Sequence, residues 1–214
     1  MQINNRKIKY ACVILELSLV ITLLVIWLGS ETIRESRNLW ILFLYSFPSH
    51  FCIAVVPHEP VLLYFGKFYS PALVTIAAIS GVVLTEFLNY SFISIMSSYE
   101  FVRTGVDNKY VKKLVGLFNK IPFTALLIAG FSPVPFYPFR FLAVFSHYPL
   151  IKYISAVFIS RSFRFYILAY AGYLFDFSNS VIIMLFVVLI IIAIIPLLKQ
   201  AFTRVKSRIR TVNN

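Results

Sequence analysis

Acidic residues are scarce in this chain: eight Asp and Glu stand against 20 Lys and Arg in 214 residues, a formal charge of +12. Cysteine is scarcer still. Cys12 and Cys52 are isolated in apolar surroundings, which excludes a disulfide framework and a cysteine metal site, and both read as packing residues. Three histidines, His50, His58 and His147, have no partner at ligand spacing, and no glycine-rich phosphate loop follows a strand. No hydrolase arrangement stands out either. The expectation is therefore a non-enzymatic protein with no metal and no cofactor. A hydrophilic stretch long enough to make a second domain is also missing, so the basic balance has no soluble nucleic-acid-reading module to serve.

What fills the chain instead is apolar. Hydrophobic residues make up 60% and charged residues 13%, with a mean hydropathy of +0.85. Soluble domains run at about 45–50% apolar and about 25% charged, so this is an integral membrane protein by composition. Its cations cluster at the ends of apolar spans: Arg6, Lys7 and Lys9 precede the first, Arg103 to Lys120 fill a central polar segment, and Lys199 to Arg210 follow the last. That is positive-inside patterning, which puts both termini in the cytoplasm.

Tyr10–Gly29 is 20 residues long, enough at 1.5 Å per residue to cross a hydrocarbon core of about 30 Å, and is read as an uncleaved first helix carrying Glu16. Leu39–Phe65 is apolar but interrupted by Pro48, His50, Pro57, His58, Glu59 and Pro60, which predicts a re-entrant hairpin in place of a continuous crossing. Pro71–Ile95 is a crossing helix with Glu86 inside it. Between Ser97 and Lys120 the apolar residues fall at helical spacing opposite the lysines, the pattern of an interfacial amphipathic helix. Ile121–Tyr148, broken at Pro122, Pro133, Pro135 and Pro138, is a second hairpin; Lys152–Leu174 and Val181–Leu198 are the remaining crossings.

Pro57, Pro60 and Pro71 recur as Pro135, Pro138 and Pro149, each 78 positions on. One crossing between the hairpins makes them enter from opposite faces. The expected fold is therefore an all-α polytopic membrane protein, an inverted repeat with two re-entrant hairpins among about four transmembrane helices. The segments are 1–38 (basic N-terminus, first helix, short loop), 39–175 (two-hairpin core) and 176–214 (last helix and basic tail). Pro57, Pro60, Pro133, Pro135 and Pro138 are the hairpin-breaking residues.

Charge inside such spans needs a reason, since an unpaired charged side chain at a helix centre costs about 2.5–3.5 kcal/mol on insertion scales. Glu86, Arg161 and Arg164 are the cases. Arg161 and Arg164, three apart on one helix face, are expected to address one cavity. The 78-position offset also sets Glu86 on Arg164, which is expected to draw them towards a central site. With Arg140 added and Glu59 set against it, a positive excess is left, which favours an anionic ligand. Arg140, Arg161 and Arg164 are thus the substrate-binding candidates, with Glu59 and Glu86 as proton-coupling or charge-balancing groups. A buried ion pair of Glu86 with one arginine is the structural alternative. Glu59 could equally cap a half-helix start. His58 is read as an interfacial polar residue, with a pH-sensing partner as the alternative; His50, His147 and Glu16 are read as structural.

The segments Pro57-His58-Glu59-Pro60, Gly66, Gly81, Glu86-Phe87-Leu88-Asn89-Tyr90, Ser132-Pro133-Val134-Pro135 and Ala171-Gly172-Tyr173 resemble the DedA family, also called the SNARE-associated or VTT domain, over roughly Leu39 to Leu174. The resemblance implies two inverted re-entrant hairpins and lipid movement between leaflets, with Glu59 as the family's hairpin acid. The family arginine before the second hairpin's proline is absent, Gly130, Phe131 and Ser132 standing there; Arg140 lies a little beyond the expected place of the next one. Arg161 or Arg164 is the expected substitute.

The expected function is a lipid translocator of flippase or scramblase type, with or without proton coupling, for an anionic or phosphate-bearing lipid. The alternative is a non-transporting membrane-organising or assembly factor whose buried charges are structural. Partners are membrane lipids, with or without a second copy of the chain; the location is a bacterial cell (inner) membrane.

Overall fold

The computed structural model describes residues 37–51, 57–97, 109–132, 135–175 and 177–192, together with Ser18, Thr22, Val25 and Ser30. Cys12, Cys52, Glu16, Pro133, most of Tyr10–Gly29 and the basic tail lie outside the described residues. Among the described residues, Ser18, Thr22 and Val25 are helical and eight helices follow them in order: α1 Leu39–His50, α2 Glu59–Gly66, α3 Pro71–Ser97, α4 Lys109–Phe118, α5 Pro122–Phe131, α6 Tyr137–Phe145, α7 Leu150–Leu174 and α8 Asn179–Ile192. The described residues are helical or irregular, with no strand.

Proline sets most of the starts. It is the first residue of α3 and α5, the second of α2 and α6, and the N-cap of α7, all places where its missing amide costs no intrahelical bond. Pro48 is different: α1 runs through it and ends two residues later, so it does not interrupt the helix. Asn38 caps α1 by accepting from the Trp40 amide at 3.0 Å. α2 begins at residue 59 and α6 at residue 137, which is the 78-position offset of the prolines.

Two long helices, α3 and α7, pack along one another as the central pair. α1 lies on α3 and α5 on α7, while α2 packs chiefly on α7 and α6 on α3. α3 buries the stripe Val74, Ala78, Val82, Glu86, Asn89 and Ile93, and presents Ile76, Leu84, Phe87, Leu88 and Ile95 outward. α7 likewise buries Tyr153, Ala156, Ser160 and Arg161 and exposes Ile151, Phe158, Phe163 and Tyr170. Large apolar side chains outside and charges inside invert the pattern of a soluble domain.

Four crossings were expected from the sequence; among the described residues one helix, α3, is long and apolar enough to cross a membrane. At 27 residues it extends about 40 Å. α7 has 25 residues but carries Lys152, Arg161 and Arg164. α4 and α5 form a pair bent by 93°. α4 buries Phe118 and exposes Lys109, Lys112 and Lys113 beside Tyr110, Leu114 and Leu117, an amphipathic helix as its spacing predicted.

Candidate functional site

The charged residues singled out in the sequence form two clusters. The first is dry. Glu86, fully buried on α3, accepts both arms of Arg140 from α6, Nε at 2.8 Å and Nη2 at 2.7 Å, a bidentate pair. Arg161 Nη2 lies 3.0 Å from Glu86 Oε1, and the Tyr153 hydroxyl donates to Oε2 at 2.7 Å. The Arg161 guanidinium also sits 4.5 Å from the Phe136 ring centre. Two cations on one carboxylate leave one positive charge over.

The same cluster closes the end of α1. The carbonyl of His50, the last residue of that helix, has no intrahelical donor; it accepts from Arg140 Nη2 at 2.9 Å and from Asn89 Nδ2 at 2.8 Å. Nearby, the Tyr45 hydroxyl donates to the Pro57 carbonyl at 2.8 Å. The carbonyls of His50 and Pro57, on either side of the break between α1 and α2, are thus satisfied by side chains. Ser49 Oγ lies 2.9 Å from Nδ1 of both His50 and His58. His58 is 4% exposed, so it is a core residue and not the interfacial one its sequence position suggested.

The second cluster is half-open. Arg164 Nη2 donates to Glu59 Oε1 at 2.5 Å and Arg164 Nη1 to the Ser132 carbonyl, just past the end of α5, at 2.9 Å. Its side chains are 24% and 30% exposed, against 2% and 0% for Arg140 and Glu86. Glu59 and Arg164, with Phe131, Ile167 and Leu168, line a cavity of about 220 Å³. A cation, an anion and an apolar wall there can hold an amphiphile's charged end against its hydrocarbon.

The expectation that Arg161 and Arg164 would address one cavity is therefore corrected: Arg161 turns to Glu86 and Arg164 to Glu59. Glu86 and Arg164 do not meet either. Tyr153 and the Ser132 carbonyl were not foreseen, although Asn89, three residues from Glu86 on the same helix face, carried a legible signal. Tyr153→Phe keeps the ring and removes one donor to a charged acceptor; since Arg140 Nε still serves Oε2, a loss of about 1.5 kcal/mol is expected, read as a lowered denaturation midpoint of the detergent-solubilised protein.

Charge inside and apolar side chains outside define a membrane-associated helical protein. The VTT domain family matches residues 56–174, from just before Pro57 to the end of α7. This is more than half of the chain, and the chain belongs to the VTT-domain family, that of the DedA or SNARE-associated proteins, a membrane family. No curated protein and no solved structure matches it significantly.

Proposed function

We propose that this protein is a membrane lipid translocator of the flippase or scramblase type, acting on an anionic or phosphate-bearing lipid, and not an enzyme. The observation that carries the reading is the partly exposed Glu59–Arg164 pair on an apolar-walled cavity. A planar guanidinium suits a phosphate, and apolar Phe131, Ile167 and Leu168 suit an acyl or polyprenyl chain. Arg164 also reaches the carbonyl of Ser132, at the place where the family arginine is missing from the sequence. It is the substitute cation in this reading. Arg140 and Arg161, held on Glu86, do not contact the headgroup in this state.

The architecture we assign is an inverted repeat: α1 with α2 and α5 with α6 are re-entrant hairpins, α3 crosses between them, and α4 lies along the cytoplasmic headgroups of a bacterial inner membrane. The matched helix starts, the reciprocal packing of α2 on α7 and α6 on α3, and the 93° turn from α4 into α5 support it. So do the side-chain donors to the carbonyls of His50, Pro57 and Ser132 beside the breaks.

Purified protein in liposomes, assayed for leaflet exchange of labelled phospholipids and of a polyprenyl phosphate, tests the function. Wild-type protein should accelerate exchange, and Arg164→Gln should cut the rate about tenfold or more while melting like wild type, because one charge-assisted contact is worth at least one decade. Absence of exchange for every lipid with and without a pH gradient would sink the proposal. The completeness of the Glu86 cluster favours a second reading, a membrane-organising factor with structural charges. In that case Arg164→Gln would alter phenotype only in step with abundance.

A further inference from the structure

The two charge clusters are built alike with their signs reversed. In each, an arginine satisfies the carbonyl at the end of a hairpin's first helix and pairs with a glutamate. Around the half-open cluster the carbonyl is Ser132 after α5, the glutamate is Glu59 on α2, and the arginine is Arg164 on α7. Around the dry cluster the carbonyl is His50 ending α1, the arginine is Arg140 on α6, and the glutamate is Glu86 on α3. Exchanging α1 with α5, α2 with α6 and α3 with α7 turns one description into the other. Glu86 and Arg164 stand at the 78-position offset itself, while Arg140 lies one turn further into α6 than Glu59 does into α2.

What differs is closure. Leu168 and Ile167 border the cavity beside Arg164. The residues 78 positions earlier are Tyr90 and Asn89, which close the equivalent space by donating to the Tyr148 carbonyl at 2.6 Å and to the His50 carbonyl at 2.8 Å. The packing is unequal in the same sense: α2 lies closely along α7, whereas α6 makes a slighter contact with α3. Unused buried groups point to a further arrangement. Arg161 Nη1 and His58 Nε2 are buried with no hydrogen-bond partner among the described residues, and Arg161 lies one turn from Arg164 while already paired to Glu86. A buried guanidinium N–H left unsatisfied is costly in this state, and a second state in which it is used accounts for its retention.

We propose that Arg140 and Glu86 form a second station for the same anionic, phosphate-type headgroup, closed in this structure and opening to the opposite membrane face when the Arg164 station closes. The proposal rests on the translocator reading and adds to it a second state. In that state α6 lies closely along α3, α2 loosens from α7, and the spare N–H of Arg161 is available to an anionic oxygen passing between the stations. Unequal conformations of two equivalent halves are the usual way an inverted repeat stores two opposite-facing states.

Two measurements on the full chain test this, both independent of lipid movement. With Cys12 and Cys52 replaced by serine, single reporters Leu168→Cys beside the cavity and Ala143→Cys one turn from Arg140 are exposed to a membrane-impermeant maleimide on either side of sealed proteoliposomes. The expected result is labelling of the two reporters from opposite faces. Ala143→Cys staying shielded from both faces while Leu168→Cys reacts, or both reacting from the same face, would overturn the proposal. The second measurement uses the reversed signs. Glu59→Arg and Arg164→Glu should each lower the melting temperature, and their combination should recover most of the loss, since the dry cluster already shows a hairpin arginine serving both the helix-end carbonyl and the glutamate. A combined variant melting no higher than the single ones means that the clusters are not counterparts, and the proposal fails. Opposed labelling without lipid exchange would sink the translocator reading and keep the two states; lipid exchange with Ala143→Cys shielded would do the reverse.

Discussion

Glu86→Gln should leave little folded protein. The substitution keeps shape and volume but strands two guanidinium groups, Arg140 and Arg161, in a core where neither is more than 6% exposed. Removing one partner of a buried pair costs about 3–5 kcal/mol because the remaining charge is uncompensated, and here two charges remain. A domain's whole stability is about 5–15 kcal/mol, so the variant should fall close to the threshold. The loss also reaches the backbone: without the carboxylate, Arg140 is no longer aimed at the His50 carbonyl that ends α1. Yield after extraction and the melting midpoint in detergent are the measurements. Arg161→Met is the control. It removes the cation in excess, together with its unsatisfied N–H, and should cost much less than Glu86→Gln. If the two variants melt alike, charge balance is not what holds this cluster.

Gly172→Ala should separate α2 from α7. A Cβ at Gly172 would run into the Leu63 backbone, its carbonyl oxygen and a Cα at 2.9 Å; a Cβ at Gly66 would meet the Ala169 carbonyl in the same way. The two helices therefore touch backbone to backbone at both places, antiparallel, through small residues. Neither obstacle is a side chain that can rotate aside. Alanine gains up to about 1 kcal/mol of helix propensity over glycine. Overpacking costs about 1–3 kcal/mol or more, and against backbone the cost wins. The consequence reaches the cavity, because α2 carries Glu59 and α7 carries Arg164: their pairing should fail together with leaflet exchange. Gly116→Ala on α4 is the contrast. Nothing lies within 4 Å of its added Cβ, so that variant should keep or slightly raise the melting temperature. Equal losses at positions 116 and 172 would show that close helix contact is not the cause.

Much of the skeleton was legible because its signals act locally. Proline removes an amide and fixes φ wherever it stands, so Pro71 was legible as a helix start, and Pro60, Pro122 and Pro138, read as breaks, stand where new helices begin. The basic, amphipathic spacing around Tyr110 to Phe118 gave α4 for the same reason. Pro48 shows the limit of the rule. α1 continues through it for two more residues, to the place where Asn89 and Arg140 donate to the helix-end carbonyl of His50.

The site was legible as a list and not as an arrangement. All five charged residues were visible, because charge in an apolar span needs compensation whatever the fold. Their pairing was misread twice. Arg161 and Arg164 share a helix face, yet three residues still separate them by about 60° and about 4.5 Å along the axis. That is enough for one to meet α3 and the other α2. Glu86 and Arg164 stand 78 positions apart, the spacing of the matched prolines, and that correspondence was taken to bring them together. Equivalent points meet only on the axis that relates them; off it, each meets its own partner.

The sequence by itself determined the helical class, the membrane association, the family and the 78-position spacing of the prolines, since each follows from composition or from short residue patterns. The tertiary structure alone decided which arginine answers which glutamate, that Glu86 is sealed while Glu59 borders a cavity, and that His58 is interior. Those contacts join residues 54 and 105 positions apart. No local pattern reaches that far: the separations are closed by the packing of α2 and α6 on the central pair, and for α2 that packing runs through Gly66 and Gly172, whose partners appear only once the chain has folded.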